Sequence, residues 1–391
     1  MLDVSEGEKR KKSTVVLLLT MVLLGVFPLD VILPSFPALS AHFDTQSSTI
    51  ALSISIFAIG FSISQFFLGP LSDRLGRKRL LMLGLMVSIV GAWGCAGSTQ
   101  FETFIAFRIA QAIGCGCFVL SNALVQDMYE DTERERVRIL MTTASGLFIS
   151  TSPLLGTFLQ NAFGWAGSFY LFTLIAILVI IHATFVLPDS MTTQSTTRFW
   201  KSFNIIVTNS RFMGFSFISA IAFTCHFSFI AISPVIFLGG FGLSQLQFSC
   251  VLLLYGAAYV IGGITAGRLQ KLVSQSQQLR IGLGLTGLAG LTLMVLHLTI
   301  ERSFLTVLLP MIICTTGTTI ARPAATSRAM EIFRDRAGAA ASMLNTTVFV
   351  TGGIISAVVS LTVGNFEWVL AAGFVVSSGI GLAIVRRLYR S

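Results

Sequence analysis

Asp30 stands where a carboxylate is hardest to keep, within Phe27-Pro28-Leu29-Asp30-Val31-Ile32-Leu33-Pro34-Ser35-Phe36-Pro37 and with apolar sequence on both sides. The other acids, of 17 in all, fall in tails, in polar loops or at the ends of apolar stretches. An acid inside hydrocarbon costs several kcal/mol unless it is protonated or paired, so it marks a functional position. The task that suits it is to load and release a proton. The flanking prolines remove backbone donors and weaken a helix through this stretch, which frees carbonyls to face a cavity. Two cations are placed in the same way. Arg108 lies in Phe107-Arg108-Ile109-Ala110-Gln111-Ala112-Ile113-Gly114-Cys115-Gly116, and Arg322 in Thr319-Ile320-Ala321-Arg322-Pro323-Ala324. Arginine stays charged at any relevant pH. A fixed cation near Asp30 would oppose the protonation that burial favours, so Arg108 is a candidate for proton coupling and, with Gln111, for substrate binding. Arg322 facing a cavity would suit an anionic or carboxylate-bearing substrate; the plainer alternative is an arginine reaching back to the polar surface. His226, in Thr224-Cys225-His226-Phe227-Ser228-Phe229, is a further substrate-binding candidate, against the alternative of a neutral imidazole bonded to a neighbouring helix.

These side chains need a scaffold, and composition names its class. Charged residues make up 11% of the chain, against roughly 25% in soluble domains. Hydrophobic residues reach 54%, and mean hydropathy is +0.83. The fold expected is an all-α polytopic membrane protein. Apolar stretches long enough to cross a bilayer recur at 14–38, 47–70, 79–98, 102–126, 137–161, 165–187, 211–238, 244–267, 279–299, 303–328, 337–362 and 366–386. They predict 12 transmembrane helices in two pseudo-symmetric six-helix bundles. The halves are 1–190 and 211–391, joined by a polar linker at 191–210. Of the 26 Lys and Arg residues, all but Arg108, Arg302 and Arg322 fall in the tails and in alternate loops. That asymmetry places both termini in the cytoplasm and requires an even number of spans. The net charge of +9 therefore sorts by topology and is no footprint for nucleic acid. The first apolar stretch is too long for a signal-peptide core, so no cleaved leader is expected. The six cysteines sit in or beside apolar segments with no ligand spacing to His, and no metal site is expected. No phosphate-binding Gly-x-x-x-x-Gly-Lys run is present.

Between the second and third stretches runs Gly69-Pro70-Leu71-Ser72-Asp73-Arg74-Leu75-Gly76-Arg77-Lys78-Arg79. Its cations mark a cytoplasmic turn, its spaced glycines permit unusual dihedrals, and Asp73 is its one acid. Positive-inside bias alone explains the cations but not the spaced Gly, Leu and Asp. The run resembles the G-x-L-x-D-R-x-G-R-K signature of the major facilitator superfamily, with every position filled. Gly263-Ile-Thr-Ala-Gly-Arg268-Leu269 is its weaker echo in the second half. The Asp-x-x-x-Pro-x-x-Pro pattern at Asp30 resembles the first helix of Bcr/CflA-type drug:proton antiporters, where this acid is implicated in proton coupling. Arg108 and its neighbours resemble the R-x-x-Q-G-x-G motif of proton-linked antiporters, with Ala112 in place of a glycine. Ser152-Pro153-Leu154-Leu155-Gly156-Thr157 resembles, in part, the G-P-x-x-G-G motif associated with export; Ser152 and Thr157 replace two glycines. Asp127 is expected either to latch onto the basic turn or to be a solvated helix end. The resemblance implies a proton-coupled efflux transporter of the bacterial inner membrane. It would export a small amphipathic molecule or drug by alternating access, with Asp30 both coupling protons and binding substrate. Gly69, Asp73, Arg74, Gly76, Arg77, Asp127, Pro153 and Gly156 would serve gating and structure. It implies no enzyme activity and no cofactor beyond a proton gradient. The partners would be substrate, protons and lipid, and the form a monomer. The alternatives are a dedicated exporter of an anionic endogenous metabolite such as a carboxylate siderophore, a facilitated importer, and a non-transporting receptor or scaffold.

Overall fold

The computed structural model describes residues 2–188, 203–333 and 336–390, without the side chains of 2–10, 69–70, 73–74, 131–132, 135, 139, 142, 363 and 390. Among the described residues the chain is helical, with no strand. Twelve helices are long and apolar enough to cross a membrane. They are α1 (Lys11–His42), α2 (Ser47–Leu68), α3 (Arg77–Ala96), α4 (Phe101–Met128), α5 (Arg136–Phe163), α6 (Gly167–Val186), α7 (Ser210–Gly240), α8 (Gln245–Leu269), α9 (Gln275–Thr299), α10 (Phe304–Ile332), α11 (Ala337–Leu361) and α12 (Phe366–Tyr389). Most of the expected linker, 191–210, lies outside the described residues; α7 opens at Ser210. Large apolar side chains stand open along the helices, such as Phe185 at 83% and Leu361 at 73% exposure, which suits surfaces solvated by lipid rather than water.

The chain divides into two compact units. The first comprises Met1–Ile32 and Gly60–Phe199, the second Leu33–Ile59 and Trp200–Ser391. In the first unit, α3 and α4 pack backbone to backbone. A Cβ on Gly91 would stand 2.3 Å from the Gln111 nitrogen, and one on Gly114 would stand 2.3 Å from the Ser88 nitrogen. Small residues at a helix crossing let polar backbones approach where lipid offers no hydrophobic drive to association. This crossing fixes the height and rotation of α4, and with it Arg108 and Gln111. In the second unit the starts of α8 and α9 are fixed by capping boxes, Ser244 with Gln247 and Ser274 with Gln277; Ser303 with Thr306 does the same for α10.

Three spans predicted as continuous are locally rewound. The helix of α1 stops at Asp30 and resumes as a 3₁₀ turn at Leu33–Ser35 and a short helix at Phe36–His42. Pro34 has no N–H to offer the Asp30 carbonyl four residues back, so the α-helical ladder cannot pass that point. In α4 a 3₁₀ segment spans Gly116–Val119. There Ser64 of α2 donates to the Ile113 carbonyl (2.6 Å), the acceptor that an unbroken helix would give to residue 117. A π segment at Val235–Gly240 closes α7 after Pro234. The hydrophilic run at 69–79 is not a loop. Helix Ser47–Leu75 continues through most of it, and the next helix starts at Arg77. The whole reversal falls on Gly76, whose φ of +89° an L side chain rarely adopts.

Candidate functional site

The break in α1 and the crossing of α3 with α4 place Asp30 and Arg108. Asp30 is buried at 9% exposure, and its carboxylate has no hydrogen bond or ion pair among the described residues. Arg108 has no exposed surface. Its Nη1 donates to Gln111 Oε1 (2.8 Å) and its Nη2 donates to the Pro28 carbonyl (3.0 Å). The guanidinium also lies 5.8 Å from the centre of the Phe169 ring. The arginine is thus docked on α1 two residues before Asp30, through a backbone acceptor. Phe27 packs against Phe148 of α5 and Phe172 of α6, each at 6.1 Å, and steadies the same turn from the other side.

At the end of this unit that carries the basic run, Arg77 Nε donates to Asp127 Oδ2 (3.1 Å), and an Arg77 guanidinium nitrogen donates to the Ser72 hydroxyl. Asp127 is thus tied to the turn between α2 and α3. Gly69, Asp73 and Arg74 lie in the helix before Gly76, and their side chains lie outside the described residues. Pro153 and Gly156 are buried in α5, within a helix that runs unbroken from Asp131 to Phe163. Ser152, beside Pro153, satisfies itself on the Ile149 carbonyl (3.1 Å).

The second unit brings His226 and Arg322 onto facing helices. His226 Nδ1 lies 2.5 Å from the Tyr255 hydroxyl and 3.1 Å from that of Thr315. Its ring stacks on Tyr255 at 5.3 Å and tilts against Tyr259 at 5.5 Å. Arg322 is half-buried, with its guanidinium 4.8 Å from the centre of the Phe223 ring. Among the described residues it makes no hydrogen bond and no ion pair. Sequence reasoning did not identify Tyr255, Tyr259, Thr315 or Phe223. The available signal was in α8, where two of the chain's five tyrosines stand one helical turn apart inside an apolar span. It also missed the pair of Arg302 with Glu367, which with His297 borders a cavity of about 80 Å³ near the start of α10. No group of three His, Cys, Asp or Glu side chains suited to a metal ion occurs among the described residues.

Twelve membrane-length helices that hold isolated charges and polar clusters within their apolar spans define a polytopic membrane protein built around intramembrane chemistry. The chain belongs to the Major Facilitator Superfamily, whose family model matches residues 17–357. Among its relatives is the bicyclomycin resistance protein homolog of Haemophilus influenzae, 26% identical over 90% of each chain. Another is the chloramphenicol resistance protein of Pseudomonas aeruginosa, 27% identical over 91% of this chain and 86% of that one. The fold is shared with the crystal structure of a D-xylose-proton symporter, at a TM-score of 0.76 and 16% identity over 94% of this chain and 96% of that chain. The protein is accordingly a membrane transporter and not an enzyme.

Proposed function

We propose that the chain is a proton-coupled exporter that moves a small amphipathic molecule out across the bacterial inner membrane. The observation that carries this reading is Asp30: a buried carboxylate without a counter-ion among the described residues, at the one point where α1 is broken. An acid so placed is stable as the neutral carboxylic acid and is ionised only with a compensating partner. Cargo and proton then compete. A ligand that favours the ionised form must expel the proton, and by linkage the proton must weaken the ligand to the same degree. Arg108 is spared that role by its bonds to Gln111 and Pro28, so it holds α1 and α4 in register through the cycle. The names of the relatives, given for resistance to bicyclomycin and chloramphenicol, support outward movement of a drug-like cargo. Alternating access would rock residues 1–190 against 211–391, with Arg77 and Asp127 as a latch and both termini in the cytoplasm, the protein acting as a monomer.

The test is proton release from purified protein in weakly buffered detergent solution, screened with cationic drugs and with polycarboxylates. Wild type should release protons on binding cargo, and Asp30→Asn should bind the same compound and release none. Equal release from both proteins would remove Asp30 from the mechanism.

A further inference from the structure

The chain carries two arginines inside its apolar spans, and the structure treats them in opposite ways. Arg108 is fully buried and bonded to two neutral acceptors. Arg322 is half-buried and lies over a phenylalanine ring, with no acceptor for any of its N–H donors among the described residues. A cation in hydrocarbon is costly unless it pairs, reaches the interface or meets a ligand. Arg322 is ten residues from the end of helix Phe304–Ile332, about 15 Å at 1.5 Å per residue. Its guanidinium rests instead on Phe223, 13 residues into the helix that opens at Ser210, about 20 Å along that neighbour. It has not snorkelled to an end. It is held at depth, and the described structure supplies no anion for it.

The surroundings are those of a receptor for an anion with an apolar body. Phe223 stacks on Phe227 at 5.1 Å and 17° and meets Phe349 edge-on at 4.8 Å. Gly352 makes room for the Phe223 ring: a Cβ there would stand 2.8 Å from it. His226 lies one turn from Phe223 on the same face of α7. His226 Nδ1 shares hydrogen bonds with the Tyr255 phenol, 2.5 Å away, and with the Thr315 hydroxyl, 3.1 Å away. Its Nε2 makes no hydrogen bond among the described residues. The face thus carries a half-buried guanidinium and an imidazole beside a packed cluster of aromatic rings.

We propose that Arg322 binds the anionic group of the cargo, with His226 one turn along the same face of α7 as a second polar contact, and that the exported molecule is an amphipathic carboxylate whose apolar part lies beside this aromatic cluster. This inference rests on the chain being an exporter and names what it exports. An anion cannot be the counter-ion of ionised Asp30, so with this cargo the coupling to Asp30 runs through the carrier's change of state and not through direct contact.

The test compares 2-naphthoate with its neutral isostere 2-naphthamide, by calorimetric titration of the full chain in phosphatidylcholine nanodiscs. A charge-assisted bond is worth about 1.5–3 kcal/mol, so wild type should bind the carboxylate about 10- to 100-fold more tightly than the amide. Arg322→Gln should abolish that preference and leave amide binding unchanged; Arg322→Lys should keep part of it. An affinity for naphthoate no greater than for naphthamide, including no binding of either, overturns the proposal without recourse to any variant. Phosphatidylglycerol that displaces naphthoate from wild type would reassign the site to a lipid headgroup and likewise overturn it. Asp30→Asn is assayed separately, for proton release. Its loss of proton release alone would uphold the exporter reading, and unaltered release would defeat that reading while leaving the Arg322 site standing.

Discussion

A fully buried arginine inside an apolar span looks like an error until its donors are traced. Arg108 is stabilised by the Gln111 amide and by a carbonyl that sits beside the break in α1. The flat, forked guanidinium reaches both acceptors at once, whereas a lysine ammonium on a single stem cannot. Arg108→Lys should therefore leave one acceptor unsatisfied and cost about 1–3 kcal/mol, read as a lowered midpoint of thermal unfolding in detergent. Asp30, Arg108, Arg322 and His226 were all legible in the sequence, because a charge or imidazole in an apolar run contradicts its neighbours. Their partners were not. Tyr255 and Thr315 meet His226 only because α7 and α8 both pack against α10, and nothing local to those residues encodes that convergence. Glu367 escaped notice for the opposite reason: it stands near a span end, where an acid needs no explanation, yet it is 4% exposed and paired with Arg302.

At the scale of the element, the spans were readable because length and hydropathy are local properties, and lipid leaves helix as the form that satisfies its own backbone. The interruptions were only half readable. The prolines announced a weak point in the first span, and Pro34 delivers the break after Asp30. The 3₁₀ segment in α4 was invisible, since its cause is a serine reaching across from α2. The reversal at Gly76 yields a direct prediction. At φ +89° an added Cβ strains the backbone, so Gly76→Ala should cost about 1–2 kcal/mol, measured as the shift in the unfolding midpoint. The crossing of α3 and α4 yields another. Gly91→Leu would drive a side chain into the Gln111 backbone, 2.3 Å from the position of the first added carbon. It should abolish folded expression, seen as loss of the monodisperse peak in detergent chromatography. Gly146→Leu, with nothing within 4 Å of an added Cβ, should express and run as wild type.

For the molecule as a whole, the pattern of Lys and Arg along the chain predicts, by the positive-inside rule, which end of each helix faces the cytoplasm. A cysteine-reactive, membrane-impermeant reagent applied to intact cells tests it. Cysteine placed at Gln100 should label and cysteine placed at Gln270 should not; the reverse result would invert the topology. The fold was legible at this scale because twelve apolar spans are written into the hydropathy. The cargo was not, because the site proposed for it joins α7 to α10 and rests on which charges lack partners among the described residues. Arg322 is such a charge, and its isolation has an electrical consequence. An empty carrier holds a bare positive charge within the insulating layer, and a carrier loaded with an anion does not. Export of an anion against entry of one proton moves two charges per turnover in the direction that an inside-negative voltage favours, each contributing about 2.3 kcal/mol per 100 mV. In proteoliposomes with equal pH on both faces, a valinomycin-imposed potassium diffusion potential alone should then drive 2-naphthoate uphill. A monovalent cation exchanged for one proton would ignore that potential entirely.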